Sequence, residues 1–229
     1  MNTRKIAVCA VMVALLIVTQ FALSFVSGVE LVTVILLCYC YTVGITCGVI
    51  TATAFSLLRC ILFGFTPNVI ILYLVYYNLF ALLFGGMKNN KPPIWVCPLL
   101  LCLISVGSAY FAINGIPISI LYQDKMGIML WILFGISIAL IIAYFILIAV
   151  KRSRELAEMA VLAAVCAILF TLLDDIISPL ILGYGTETAV AYFYTSFLAM
   201  IPQTICVAIS VLLLFYPLKN CFQRLKIDR

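Results

Sequence analysis

The stretch LVTVILLCYCYTVGITCGVITATAFSLLRCILF, Leu31 to Phe63, contains one charged residue, Arg59. It exceeds by more than a third the roughly 20 apolar residues that cross a bilayer core about 30 Å thick, so it must fold back on itself. Thr42 to Gly44 is the expected turn, between a short helix at 31–41 and a longer one at 44–62. The short helix cannot cross upright unless its neighbours or local thinning of the bilayer accommodate it. A re-entrant hairpin is the alternative; it preserves the sidedness of the chain and reduces the crossings from eight to six.

Working outward from that hairpin, apolar runs recur in both directions. Before it lies 6–26, longer than the 7 to 15 residues of a signal-peptide core and therefore a retained first helix. After it come 68–86, 94–113, 127–150, 155–177 and 188–216, with Phe63 to Asn68 read as a loop because Pro67 disfavours helix at Thr66. Pro217 and a basic tail are expected to end the last helix. The expectation is a single all-α transmembrane domain over 1–229, a polytopic helical bundle of about eight hydrophobic segments.

Composition agrees. Hydrophobic residues make up 67% of the 229 and charged ones 9%, against about 25% charged in a soluble domain. That leaves no room for a separate soluble domain. Histidine is absent, which removes the commonest metal ligand and the usual general base near neutral pH. Cys9, Cys38, Cys40, Cys47, Cys60, Cys102, Cys166 and Cys206 sit inside apolar runs without a C-x-x-C pair, and read as small buried hydrophobes rather than a disulfide framework or metal site.

The thirteen basic residues sort by side. Arg4, Lys5, Lys88, Lys91, Lys151, Arg152, Arg154, Lys219, Arg224, Lys226 and Arg229 fall on one face of an eight-crossing topology; Lys125 falls on the other, with Arg59 in a helix near it. By the positive-inside rule both termini are cytoplasmic. Basic residues distributed in this way serve topology, so the net charge of +5 does not point to nucleic acid.

Acidic residues show the reverse bias. Glu30, Asp124, Asp174, Asp175 and Glu187 lie toward the outer face, and Glu155, Glu158 and Asp228 toward the inner one. Ionisable groups at membrane depth are expensive and mark a solute path or site by default. Tyr73, Tyr76 and Tyr77 share a helical face by their spacing, close to Asn68 and Asn78, and the last helix adds Tyr192, Tyr194 and Gln203. An aromatic belt would place tyrosines at both interfaces, whereas these concentrate in the outer half beside carboxylates and an arginine. An outward-open pocket of Glu30, Arg59, Asn68, Tyr73, Tyr76, Tyr77, Asn78, Asp174, Asp175, Tyr192 and Gln203 fits that inventory. The alternatives are a snorkelling or ion-paired Arg59 and a solvated helix end for the two aspartates. Five outer carboxylates against Arg59 and Lys125 favour a cationic or donor-rich ligand.

Catalysis is not expected. Asp174 and Asp175 point about 100° apart on a helix and rarely share one substrate atom, and no G-x-x-x-x-G-K-[ST] phosphate loop is present. Ala7, Ala10 and Ala14 form a small-residue face suited to close helix approach. An echo at an offset of 150, with Arg4, Ala7, Ala10, Val11 and Ala14 against Arg154, Ala157, Ala160, Val161 and Ala164, would fit a parallel repeat or chance.

With these residues laid out, the chain resembles the substrate-binding S component of energy-coupling factor (ECF) vitamin and micronutrient importers. One block runs from Arg4 to Gly86: a basic start, the A-x-x-x-A first helix, Gly28-Val29-Glu30-Leu31, then Phe63-Gly64-Phe65-Thr66-Pro67 before an aromatic fourth helix. The other covers Thr188 to Leu218, with Ile201-Pro202-Gln203 mid-helix and Leu212 to Leu218 near its end. The resemblance implies a six-helix core, to which Ile94 to Val150 adds a helical pair, in the plasma membrane of a prokaryote. It also implies that Ala10 and Ala14, with Ala7 a turn earlier, dock on a membrane coupling subunit driven by two cytoplasmic ATPases. The chain would then need no cofactor, its partners using the ATP. The pocket would be lined by the fourth, seventh and eighth helices under the loop before Glu30 and the loop at Phe63 to Asn68. Rival expectations are a stand-alone secondary transporter, which needs coupling-ion residues at the membrane midplane, and an intramembrane enzyme built on Asp174 and Asp175.

Overall fold

The computed structural model describes residues 3–26, 29–88, 95–115, 123–151 and 154–224. Lys91, Arg152, Lys226, Arg229 and Asp228 of the charge pattern, and Gly28 of the first family block, lie outside them. Among the described residues there are eight helices and no strand. They are α1 (Thr3–Leu23), α2 (Val32–Val43), α3 (Ile45–Phe63), α4 (Pro67–Gly86), α5 (Val96–Asn114), α6 (Gln123–Lys151), α7 (Arg154–Leu182) and α8 (Thr186–Gln223). Seven are long and apolar enough to cross a membrane, α2 being the exception. The chain is a polytopic all-α membrane protein.

α2 decides the architecture. Every residue from Val32 to Tyr41 is buried, because α1, α3, α4, α7 and α8 all pack around it. A helix apolar on every face belongs in such a core. It ends at Gly44, whose φ of 101° and ψ of −179° suit a residue without Cβ. There the chain turns into α3 and presses against α4: a Cβ on Gly85 would come within 2.8 Å of the Ile45 backbone nitrogen and Cα. Lys88, just past α4, donates from Nζ to the Val43 carbonyl at 3.1 Å, a cation at the negative end of the α2 dipole.

That contact fixes the C-terminal end of α2 beside the basic helix ends. Tyr41 Oη donates to Glu155 Oε1 at 2.7 Å, Lys219 Nζ donates to the same oxygen, and Arg154 pairs with Glu158 at 2.5 Å. Twelve residues rising about 1.5 Å each reach only about 18 Å from this end, so the start of α2 stops about 12 Å short of the far side of a bilayer core.

α7 is the central pillar, with an unbroken buried run from Leu156 to Ile168. α5 and α6 pack chiefly on each other and meet the remainder through α7 and α8; a Ser105–Ser137 hydroxyl pair at 2.6 Å ties them in a dry interface. The bundle is therefore α1 to α4, α7 and α8, with α5–α6 as an appended hairpin.

Several boundaries differ from expectation. The loop between α3 and α4 is only Gly64 to Thr66: Phe63 still belongs to α3, and Pro67 takes the first helical position of α4, one residue before the expected start, where its fixed φ fits and its missing N–H is not needed. α8 continues through Pro217 to Gln223, and α7 through Pro179 to Leu182, since a proline in a membrane helix loses one bond that its surroundings compensate. The 150-residue echo joins unlike environments: Ala7, Ala10 and Ala14 are exposed, whereas Ala157, Ala160 and Ala164 are buried. All ten cysteines are free; of those expected inside, Cys102 is exposed and Cys206 half-buried, the others being buried.

Candidate functional site

Because α2 stops short, the space above its N-terminus is left for side chains from its neighbours. A cavity of about 280 Å³ opens there, near the lower end of the roughly 300 to 1,000 Å³ typical of small-molecule sites. Its floor is Glu30, Leu31 and Val32; its walls include Gln20 from the end of α1 and Ser24 just past it, Arg59 and Phe63 from α3, Tyr73 and Tyr77 from α4, Phe170 from α7 and Gln203 from α8.

Glu30 is the anion of the site and it is held. Thr33 Oγ1 donates to its Oε1 at 2.7 Å, and Gln203 Nε2 donates to its Oε2 at 2.7 Å. It precedes the first turn of α2, where the helix dipole favours negative charge. Arg59 is the cation, and among the described residues it has no ion-pair partner. Its guanidinium lies over the Tyr73 ring at 4.2 Å and near the Phe63 ring at 5.6 Å. Cation–π attraction of this kind supplies no hydrogen-bond acceptor to the guanidinium; the buried Nε has none.

The aromatic wall is built by α4 and α7. Tyr73–Tyr77 and Tyr76–Tyr77 ring centroids are each 5.1 Å apart, and Phe170 lies 5.7, 4.8 and 6.3 Å from Tyr73, Tyr76 and Tyr77. Gln20 Nε2 donates to Tyr73 Oη at 3.3 Å, while its buried Oε1 has no donor. One wall is thus a rigid aromatic surface, and two unsatisfied polar groups, one donor and one acceptor, belong to residues that line the cavity.

Of the expected pocket residues, the structure brings together Glu30, Arg59, Tyr73, Tyr77 and Gln203. The other six do not line this cavity. Tyr76 is turned to α7, donating to the Cys166 carbonyl at 3.0 Å. Asn78 locks α3 to α4, accepting from Thr53 Oγ1 at 2.8 Å. Asn68, Asp174, Asp175 and Tyr192 form a separate network: Asn68 Nδ2 donates to Ser178 Oγ at 2.9 Å, Ser178 to Asp174 Oδ1 at 2.5 Å, Tyr192 to Asp174 Oδ2 at 2.7 Å, and Ser196 to Asp175. α7 runs two turns past the aspartates, which places them within a helix interface and not at a solvated end.

α7 and α8 therefore give one cavity residue each, while α1 and α3 contribute more than expected. Gln20 is the residue the sequence reading missed, and its signal was there: an amide inside an apolar run has to be satisfied at depth. Phe170 carried none, since one phenylalanine in an apolar helix resembles any other. No family, no curated protein and no solved structure matches the chain.

Proposed function

We propose that this chain is the substrate-binding subunit of an ECF-type importer, capturing a vitamin-like micronutrient outside the cell and releasing it through a coupling subunit driven by two ATPases. The observation that carries the reading is the cavity above α2, at the end of the bundle away from the basic helix termini. Taking the basic end as cytoplasmic, the cavity opens toward the outside, where a solute would enter. Polar groups held that deep in a membrane mark a solute site.

A second feature fits the same reading. Ala10 and Ala14 border an apolar groove of about 420 Å³ between α1 and α3, with Val13, Ile17, Ala54 and Leu58. Small residues there let a partner helix approach closely, the geometry a coupling subunit in a prokaryotic plasma membrane requires. The chain itself then hydrolyses nothing and needs no cofactor of its own.

Purification from native membranes under mild detergent tests both parts. The expected result is co-purification of a membrane partner and two ATPases, with a small molecule retained that mass spectrometry identifies. Solute uptake by the purified chain alone, driven by an ion gradient in liposomes, would instead assign a secondary transporter.

A further inference from the structure

We infer that the solute held in this cavity carries a planar anionic group, a carboxylate in its simplest form, paired edge-on with Arg59 beside a flat ring on the Tyr73–Tyr77–Phe170 wall. The inference rests on the solute-binding reading of the cavity and reverses the charge preference that a count of outer carboxylates suggests.

The reversal follows from where each charge is spent. Four of those five carboxylates do not line the cavity: Asp174 accepts from Ser178 and Tyr192, Asp175 accepts from Ser196 on one oxygen while its other oxygen is buried without a partner, and neither Asp124 nor Glu187 is among the lining residues. The fifth, Glu30, already accepts one hydrogen bond on each oxygen and has the α2 dipole behind it. Arg59 has none of this. Its guanidinium carbon lies over the Tyr73 ring and near the Phe63 ring, its buried Nε lacks an acceptor, and no ion pair satisfies it among the described residues.

A guanidinium in a low-dielectric cavity with an unsatisfied N–H is matched best by a bidentate carboxylate. The first N–H groups of α2 below the floor add positive potential of the same sign. The volume of about 280 Å³ has room for one ring and its substituents.

Benzoate, benzamide and benzamidinium are near-isosteric probes of negative, zero and positive charge, and ligand-induced thermal stabilisation of the purified chain reads their affinities. Benzoate should bind about tenfold or more tighter than either of the others, as expected for one charge-assisted bidentate contact. Arg59→Gln should reduce that preference to about twofold or less, and Arg59→Lys should keep its sign at reduced strength because the fork is lost. Each variant is compared only where its ligand-free unfolding midpoint and circular dichroism match the parent. Asp174→Asn, outside the cavity, should leave the preference unchanged.

Benzamidinium binding as tightly as benzoate, or a benzoate preference that survives in Arg59→Gln, would overturn the inference while leaving the cavity a solute site. Failure of all three at millimolar concentration would remove the solute site itself, and the proposed function with it.

Discussion

The two ends of the bundle hold similar side chains and treat them in opposite ways. At the basic end Tyr41 and Lys219 converge on one Glu155 carboxylate oxygen, Arg154 covers Glu158, and Lys88 caps α2. At the other end Arg59 and Glu30 line the same cavity without forming an ion pair. The difference comes from α2, which reaches one end and stops about 12 Å before the other. Charge that is paired closes a bundle; charge held apart leaves a place for something else.

The largest effect should come from removing the wall of the open end. Phe170→Ala deletes the ring that touches Tyr73, Tyr76 and Tyr77, and should cost about 3 kcal/mol, measured as unfolding in a detergent or bicelle titration. Stability and solute retention should fall together, because this ring belongs to both packing and cavity. A variant that keeps full stability would show that the aromatic cluster is not a packed unit.

The closed end should lose stability alone. Glu155→Ala strips Tyr41 and Lys219 of a shared partner that is largely buried, and should cost about 2 kcal/mol, less than a fully buried pair because the site is partly solvated. Retained solute should be unchanged. If retention falls as much as in Phe170→Ala, the two ends are coupled through α2 and their separation is wrong.

Gly85→Ala tests the turn that fixes the height of α2. The added methyl meets backbone, not a flexible side chain, at 2.8 Å, so α4 and the α2–α3 turn must part, at about 1 to 2 kcal/mol. A melting temperature equal to the parent's would mean that the turn moves freely, and with it the cavity floor.

The architecture was largely legible because membrane folding writes itself in hydropathy and charge. A bilayer-length limit on the Leu31 to Phe63 stretch forced the turn near Gly44 and the short helix, and the positive residues sorted the helix ends. What stayed hidden was three-dimensional accounting. Asp174, Tyr192 and Asn68 resembled ligand groups by type and depth, and only the contacts from α7 to α8 and α4 show that they join one network through Ser178, with the Asn68 oxygen left without a partner. Glu30 and Gln203 are 173 positions apart, so no local pattern could reveal that the glutamate is occupied and the arginine is not. Prolines misled for a related reason: rules for where they stop a helix come from water, and α7 and α8 are held by their neighbours.

Thr53 and Asn78 supply the neutral reference between the two ends. Their 2.8 Å bond joins α3 to α4 about midway along both helices, with Asn78 Nδ2 also donating to the Leu74 carbonyl at 2.7 Å. A double-mutant cycle with Thr53→Val and Asn78→Leu should give a coupling of about 0.6 kcal/mol, the average for interhelical hydrogen bonds in a membrane protein. Each unfolded helix still finds other partners for its polar groups in the bilayer, which is why so dry a bond contributes so little. The Glu155 and Lys219 pair, measured in the same way, should couple more strongly, since leaving one charge behind is worse than leaving one amide. Equal couplings would mean that the basic end is shaped by packing, and that its ion pairs follow the closure of the bundle without causing it.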